Sequence, residues 1–331
     1  MKYVNLGNSD IKISAMGLGC MGMTHAYGLP SDEGEMTGLI HSALDMGITF
    51  FDTAQCYTAT GLKGKVIYNE ELVGRALKPY RNKAVIATKF GVRHNKDRSL
   101  VTDSSPHTIH KSLDDSLKRL GTDYIDLYYQ HRIDPDIPPE EVAGVMKDLI
   151  QEGKIREWGI SEADEDYIRR AYAVCPPVAV QNRYSMMYRY YEDLLPVLDE
   201  LKITLVAHSP LANGFLSGRY NKDYVFDRKN DYRSDMPQFK KEGIEQNKEL
   251  LEMLNKMSAA KNATPAQISL AWLMSKDIVP IPGTRRLDRL KENIGSVNIT
   301  LTKTEAIDID IALTNMEMSE VFGGHKRQVK S

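Results

Sequence analysis

The sequence predicts a (β/α)8 barrel of the TIM type, on three observations. Short apolar runs alternate with amphipathic helical stretches along the chain, and eight such runs can be counted. That alternation calls for parallel strands joined by right-handed helical crossovers. At 331 residues the chain has room for eight units plus surface insertions, and a single domain, 1–331, is expected. The fingerprint of an open dinucleotide-binding sheet is missing where it belongs. Gly17-Leu18-Gly19-Cys20-Met21-Gly22 has glycines at that spacing, but no helix opens before Ser31.

Taken in order, Val4 and Leu6 before Gly7-Asn8, with Ile11 and Ile13 after it, predict a hairpin that caps one end of the barrel. A buried strand follows over 15–18. Met36, Leu39, Ile40, Ala43 and Leu44 then have helical spacing within 31–46, and Gly47 is placed to end that helix. The second strand, 48–52, is apolar or β-branched up to Asp52, as a strand buried on both faces requires. The stretch 58–67 reads as an extended mobile loop before a helix at 70–77. A third strand over 84–89 precedes a helix with Ser105 as N-cap, Pro106 at its first position, and Ile109, Leu113, Leu117 and Leu120 on one face up to Gly121.

Strands over 124–129, 154–160, 178–181 and 203–207 alternate with helices from Pro139, over 164–174 and over 191–201. The polar stretch 221–242 reads as an inserted loop. Helices are expected again over 243–261 and from Thr264-Pro265, whose Ile268, Leu270, Ala271 and Leu273 are apolar. The last strand is 278–281, with helices over 287–294 and 304–313 after it.

Composition narrows the function. A net charge of -2 with interspersed signs provides no basic field for nucleic acid or an anionic membrane. No apolar run approaches the roughly 18 residues of a membrane span, so a cytoplasmic protein is expected. Cys20, Cys56 and Cys175 are too scattered for a disulfide framework or a metal site.

In a barrel of this kind the chemistry collects at the carboxyl ends of the strands. The second strand ends in Asp52 with Tyr57 beyond it, the third in Lys89, and the fourth runs into His131. A buried carboxylate needs a cation, which Lys89 can be. A tyrosine beside that ammonium is expected to have its pKa lowered from about 10, as a general acid requires. His131 can orient a carbonyl oxygen by hydrogen bonding. Each residue alone would more often be a strand cap or solvated tip. Their convergence argues for catalysis.

These residues and their settings, Phe51-Asp52-Thr53-Ala54, Tyr57, Ala87-Thr88-Lys89-Phe90 and Tyr128-Tyr129-Gln130-His131, resemble the catalytic tetrad of the aldo-keto reductases. The resemblance spans nearly the whole chain. It implies reduction of a small aldehyde or ketone by NADPH, with Tyr57 as proton donor. It implies further that Ser161 and Gln181 hold the nicotinamide carboxamide, with Asp52 near the nicotinamide ribose. His208-Ser209-Pro210-Leu211, with Gly214 and Leu216, resembles the pyrophosphate loop. The segment from Gly283 resembles the adenosine-phosphate site, with Thr284, Arg285 and Arg289 on the 2′-phosphate and Glu292 and Asn293 on the adenine. Arginine suits that task because its planar fork binds phosphate oxygens in pairs.

Three positions depart from the family pattern. Glu162 stands where many relatives have Asn, Arg183 where Glu is common, and His208 where an aromatic ring, usually Tyr, stacks on the nicotinamide. Met21, Met23, Tyr57, His131 and Arg132 are expected to face the substrate. Arg132 either attracts an anionic substrate or pairs with Asp134. The competing functional reading is a redox-sensing regulatory subunit that binds the cofactor with little turnover, as some relatives accompany ion channels.

Overall fold

The computed structural model describes residues 1–61, 64–95 and 99–322. Leu62 and Lys63 of the 58–67 stretch lie outside these, as does the end of the chain beyond Phe322. Among the described residues one parallel sheet has eight strands that neighbour one another in chain order. They are β1 (Leu18–Gly19), β2 (Phe50–Asp52), β3 (Val85–Phe90) and β4 (Ile125–Gln130). β5 (Ile155–Ser161), β6 (Ala179–Arg183), β7 (Thr204–His208) and β8 (Val279–Pro280) complete it. The Gly17 amide donates to Pro280 O at 3.0 Å and the Gly19 amide to Pro282 O at 3.3 Å, while Gly19 bridges Gly283. The first strand thereby meets the last, and the sheet is a (β/α)8 barrel.

Around it run α1 (Glu33–Asp45), α2 (Asn69–Leu77), α3 (Pro106–Leu120), α4 (Pro139–Gln151) and α5 (Glu165–Val174). Then come α6 (Leu195–Glu200), α7 (Lys241–Gln246), α8 (Lys248–Lys261), α9 (Pro265–Met274), α10 (Leu287–Gly295) and α11 (Lys303–Asn315). The caps are those the sequence predicts. Ser105 accepts from the Thr108 amide at the start of α3, and Gly121 ends it at φ 65°, a conformation favouring glycine. Thr264 and Gln267 form a reciprocal capping box on α9.

The barrel interior follows from strand parity. Side chains alternate faces along a strand. Phe50, Val85, Ala87, Leu127, Tyr129, Ala179, Val206, Val279 and Ile281 form the inner core, closed below by Leu6, Ile11 and Ile13 of the N-terminal hairpin Tyr3–Asn5/Lys12–Ser14. The intervening Phe51, Ile86, Tyr128, Trp158, Ile160, Val180 and Leu205 pack outward with the helices. Gly159 belongs to the inner set, and a Cβ there would lie 2.5 Å from the Tyr129 ring and 2.6 Å from Ala179 O. Its missing side chain is what lets the Tyr129 ring fill the barrel.

Several elements differ from expectation. The 15–18 strand is shorter than expected: Leu18 and Gly19 pair with β2 and Gly17 reaches Pro280 O, while Ser14 exchanges hydrogen bonds with the Thr49 backbone and hydroxyl and donates to Met16 O. The 58–67 stretch forms the antiparallel strands Thr58–Thr60 and Val66–Tyr68 instead of an open loop. A second hairpin, Val92–His94/Leu100–Thr102, rises after β3. The 243–261 helix breaks at Asn247, whose side chain accepts from the Ser319 amide at 2.9 Å and donates to its hydroxyl at 2.8 Å. In the 191–201 helix, a 3-10 turn, Glu192–Leu194, precedes α6, with Pro196 in its first turn. The 221–242 insertion contains the 3-10 turns Tyr232–Asp235 and Pro237–Phe239.

Candidate active site

The polar residues at the barrel mouth sit one inward step above the apolar interior: Asp52 two residues past Phe50, Lys89 past Ala87, His131 past Tyr129, Gln181 past Ala179 and His208 past Val206. Pairing sets their heights, with Asp52 level with Ala87 and Tyr129 level with Lys89. With the strands staggered in this way, Asp52, Tyr57, His131, Gln181 and His208 are among the residues that line one cavity of about 830 Å³.

Lys89 is fully buried and spends its three donors on one cluster. Nζ donates to Asp52 Oδ1 at 2.5 Å, Thr53 O at 2.8 Å and the Tyr57 hydroxyl at 3.4 Å. Gln181 Nε2 donates to the other Asp52 oxygen at 2.8 Å. The carboxylate is thus paired and hydrogen-bonded, as a desolvated charge must be. An ammonium has no acceptor, so the Tyr57 oxygen accepts from Lys89 and its own proton points elsewhere, on a residue that lines the cavity.

One electrostatic expectation is corrected. Burial, followed by the Asp52 charge, pushes the Tyr57 phenol well above its usual pKa instead of below it. The Lys89 ammonium, paired with Asp52 at closer range, does not outweigh them. Tyr57 therefore holds its proton across the working pH range.

His131 is buried, and burial, with the charges of Arg132 and Lys89, pulls its pKa well below the usual histidine value. Its Nδ1 lies 3.4 Å from Cys56 Sγ, and burial pushes that thiol up to about 12. In the tautomer in which the protonated thiol donates to Nδ1, the neutral imidazole carries its N–H on Nε2. Sequence reasoning missed Cys56 because no periodicity marks a contact between two loops.

The three departures from the family pattern meet in one network. His208 Nε2 is 2.5 Å from Glu162 Oε1, which also accepts from the Arg183 amide at 2.8 Å, while Tyr191 donates to Oε2 at 3.1 Å. Burial disfavours the Glu162 charge, yet His208, Arg132 and the Arg183 amide hold the carboxyl well below its usual range. Burial lowers the His208 pKa despite Glu162, helped by Arg183 and Arg132. The two shifts pull against each other. We assign a carboxylate and a neutral imidazole, since Glu162 has several donors and His208 faces two arginines.

Of the remaining predicted residues, Met21, Arg132, Ser209, Pro210, Leu211 and Gly214 line the cavity. So do Gly283, Thr284, Arg285, Arg289, Glu292 and Asn293. Met23 and Leu216 do not: both are fully buried in the outer core, Met23 because the 3-10 turn Met21–Met23 rotates it inward. Ser161 lies beneath Arg132 Nη1, 3.3 Å from its hydroxyl. Arg285 donates to Tyr27 O, Leu29 O at 3.0 Å and the Ser31 hydroxyl, so its terminal nitrogens secure the 27–31 loop. Glu292 is paired with Arg219 at 2.5 Å. Arg289 Nε is buried without a hydrogen-bond partner among the described residues.

The rim was the least anticipated part. His25 stacks on Tyr57 with ring centres 6.0 Å apart and lies 5.3 Å from the His94 ring. Residues 26–28 pair with 230–232 of the insertion through a Tyr27/Asp231 bridge, and Arg233, ion-paired with Asp231, lies over the Tyr27 ring. Ser209, Ala212, Asn213 and Gly214 all have positive φ, a concentration of backbone strain typical of binding loops.

The buried histidines predict acid sensitivity. His25, His131 and His208 all have folded pKa values below the ordinary 6.5. The unfolded chain thus takes up protons first as pH falls below about 6.5, and their contribution to stability, full above that pH, declines until the folded pKa values are reached. The melting temperature should fall between pH 7 and pH 5, each group costing up to about 1.4 kcal/mol per pH unit. His131→Gln should make the decline shallower in a pH series of thermal melts.

Comparison with known proteins agrees with this geometry. The profile of the Aldo/keto reductase family matches residues 15–314. A probable aldo-keto reductase 1 from Glycine max is 39% identical over 325 residues, covering 97% of this chain and 90% of that protein. Among solved structures, a glycerol dehydrogenase from Gluconobacter oxydans superimposes with a TM-score of 0.84 at 27% identity, covering 98% of each chain. An aldo-keto reductase from Bacillus halodurans in its holo form gives 0.75 at 28% identity, covering 97% of this chain and 98% of that one. A chain that carries this barrel, and that matches the family over most of its length, belongs to the aldo/keto reductase family of oxidoreductases.

Proposed function

We propose that the protein reduces aldehydes or ketones to alcohols with NADPH, Tyr57 giving the proton. The observation that carries this is the convergence of Lys89 on Asp52 and Tyr57, beside a neutral His131, on the floor of one cavity. A reduced nicotinamide, when bound, would supply the hydride that the carbonyl carbon receives. Tyr57 protonates the oxygen, and the ammonium of Lys89 stabilises the phenolate left behind. Asp52 keeps Lys89 charged in a dry site. His131 donates from Nε2 to the carbonyl oxygen and fixes its direction.

The residues fit a phosphorylated dinucleotide. Arg289 Nε is a buried donor in want of an acceptor, on the cavity wall beside Thr284 and the start of α10. A 2′-phosphate supplies such an acceptor. Ser161 and Gln181 would hold the carboxamide, and the positive-φ turn from Ser209 to Gly214 the pyrophosphate. With Arg285 occupied by the 27–31 loop, Arg289 and Thr284 take the larger share of the phosphate. A neutral His208, held by Glu162, presents the flat face of an imidazole where relatives place a larger aromatic ring.

Steady-state turnover of simple aromatic aldehydes with NADPH and with NADH tests the cofactor assignment. Wild type should prefer NADPH, and Arg289→Ala should raise KM for NADPH by about 30-fold or more while changing KM for NADH little, as loss of a charged partner predicts. Equal use of both cofactors, or indifference to the substitution, would contradict it. Tight NADPH binding without turnover of any carbonyl would favour the regulatory reading instead.

A further inference from the structure

We propose that the site is built for carbonyl compounds whose carbonyl carbon itself carries a carboxylate, the 2-oxo acids, and that Arg132 receives the carboxylate. This rests on the reductase reading and names its substrate class.

Arg132 directly follows His131, and its side chain lines the cavity. The guanidinium is anchored at one nitrogen only, Nη1 donating to His131 O at 2.6 Å and to the Ser161 hydroxyl at 3.3 Å. The carboxylate nearest in sequence is unavailable, since Asp134 accepts from the Ser104 amide at 2.7 Å and the Asp136 amide at 3.1 Å. Glu162 is equally committed, its oxygens taken by His208, the Arg183 amide and Tyr191. Arg132 is thus held in place with no carboxylate hydrogen-bonded to it among the described residues.

The charge balance points the same way. Around the cavity floor stand three cations, Lys89, Arg132 and Arg183, against two carboxylates, Asp52 and Glu162, with the neighbouring histidines neutral. One positive charge is unmatched in a desolvated site, where an anion gains most. Arg183, also on the cavity wall, has its Nη1 buried with no hydrogen-bond partner among the described residues. Arg132 is close enough to Tyr57 and His131 for its charge to lower both pKa values. In a 2-oxo acid whose carbonyl oxygen those two residues hold, the carboxylate stands one bond from the carbonyl carbon, in the same cavity that Arg132 lines. Its planar fork suits that group. In the reaction the carbonyl carbon gains a hydride from NADPH, which becomes NADP+, and the oxygen gains the Tyr57 proton. The carboxylate is unchanged and the product is a 2-hydroxy acid.

The test compares phenylglyoxylate with its methyl ester, which share a carbonyl and differ in charge, under saturating NADPH with wild type, Arg132→Met and Arg132→Lys. The readout is the acid-to-ester ratio of kcat/KM, which cancels any damage common to both substrates. Arg132→Met should lower that ratio by about 30-fold or more, chiefly through KM for the acid. Arg132→Lys should recover part of it. An unchanged ratio in Arg132→Met overturns the proposal, as does wild-type turnover of the ester with none of the acid. Failure of wild type on both, and on simple neutral aldehydes, overturns the reductase reading itself.

Discussion

Tyr57→Phe should bind NADPH as wild type does and lower kcat for carbonyl reduction by about 10²–10⁴-fold, the usual worth of a positioned general acid. The substitution removes one oxygen, at 3.4 Å from Lys89, and leaves the ring that stacks on His25. Its effect should therefore fall on turnover and spare the fold. Fluorescence titration with NADPH beside steady-state kinetics separates the two. Near-normal turnover would remove Tyr57 from the mechanism, whereas loss of NADPH binding would mean that the hydroxyl holds the site together.

Lys89→Met should have the other large effect, on stability as well as activity. It deletes the cation of a fully buried pair and leaves Asp52, among the described residues, with Gln181 alone as a side-chain donor. An uncompensated buried carboxylate costs about 3–5 kcal/mol. Adding Asp52→Asn removes the stranded charge, so the double variant should regain most of the lost stability in urea unfolding and none of the turnover. If Lys89→Met alone unfolds at the wild-type urea concentration, the pair is not a desolvated charge pair.

Much of this site was legible because strand parity is local. Phe50 and Asp52, Ala87 and Lys89, Tyr129 and His131, and Ala179 and Gln181 are each two apart, so a strand that buries the first of each pair in the barrel must aim the second at its mouth. Helix caps such as Ser105 and Thr264 were legible for a similar reason, since their partners lie three residues away.

What escaped depends on contacts between distant loops. Cys56 meets His131 across 75 positions, and 26–28 pairs with 230–232 of the insertion. Neither has a period to betray it. Met23 is expected to face the substrate together with Met21, but one tight turn puts it in the core. The direction of the Tyr57 shift was misjudged because the cation beside it was counted and the burial and the Asp52 charge were not. Arg285 illustrates the same limit, its donors being claimed by backbone carbonyls about 255 residues away that no short motif encodes.

Direct hydride delivery to a carbonyl carbon at this barrel mouth leaves a trace that NADPH deuterated at both C4 positions of the nicotinamide reveals. Reduction of an aromatic aldehyde should yield an alcohol with one deuterium on the former carbonyl carbon, and single-turnover rates should be slower than with unlabelled NADPH. An alcohol without deuterium, or labelled cofactor that is bound and never consumed, would contradict the account.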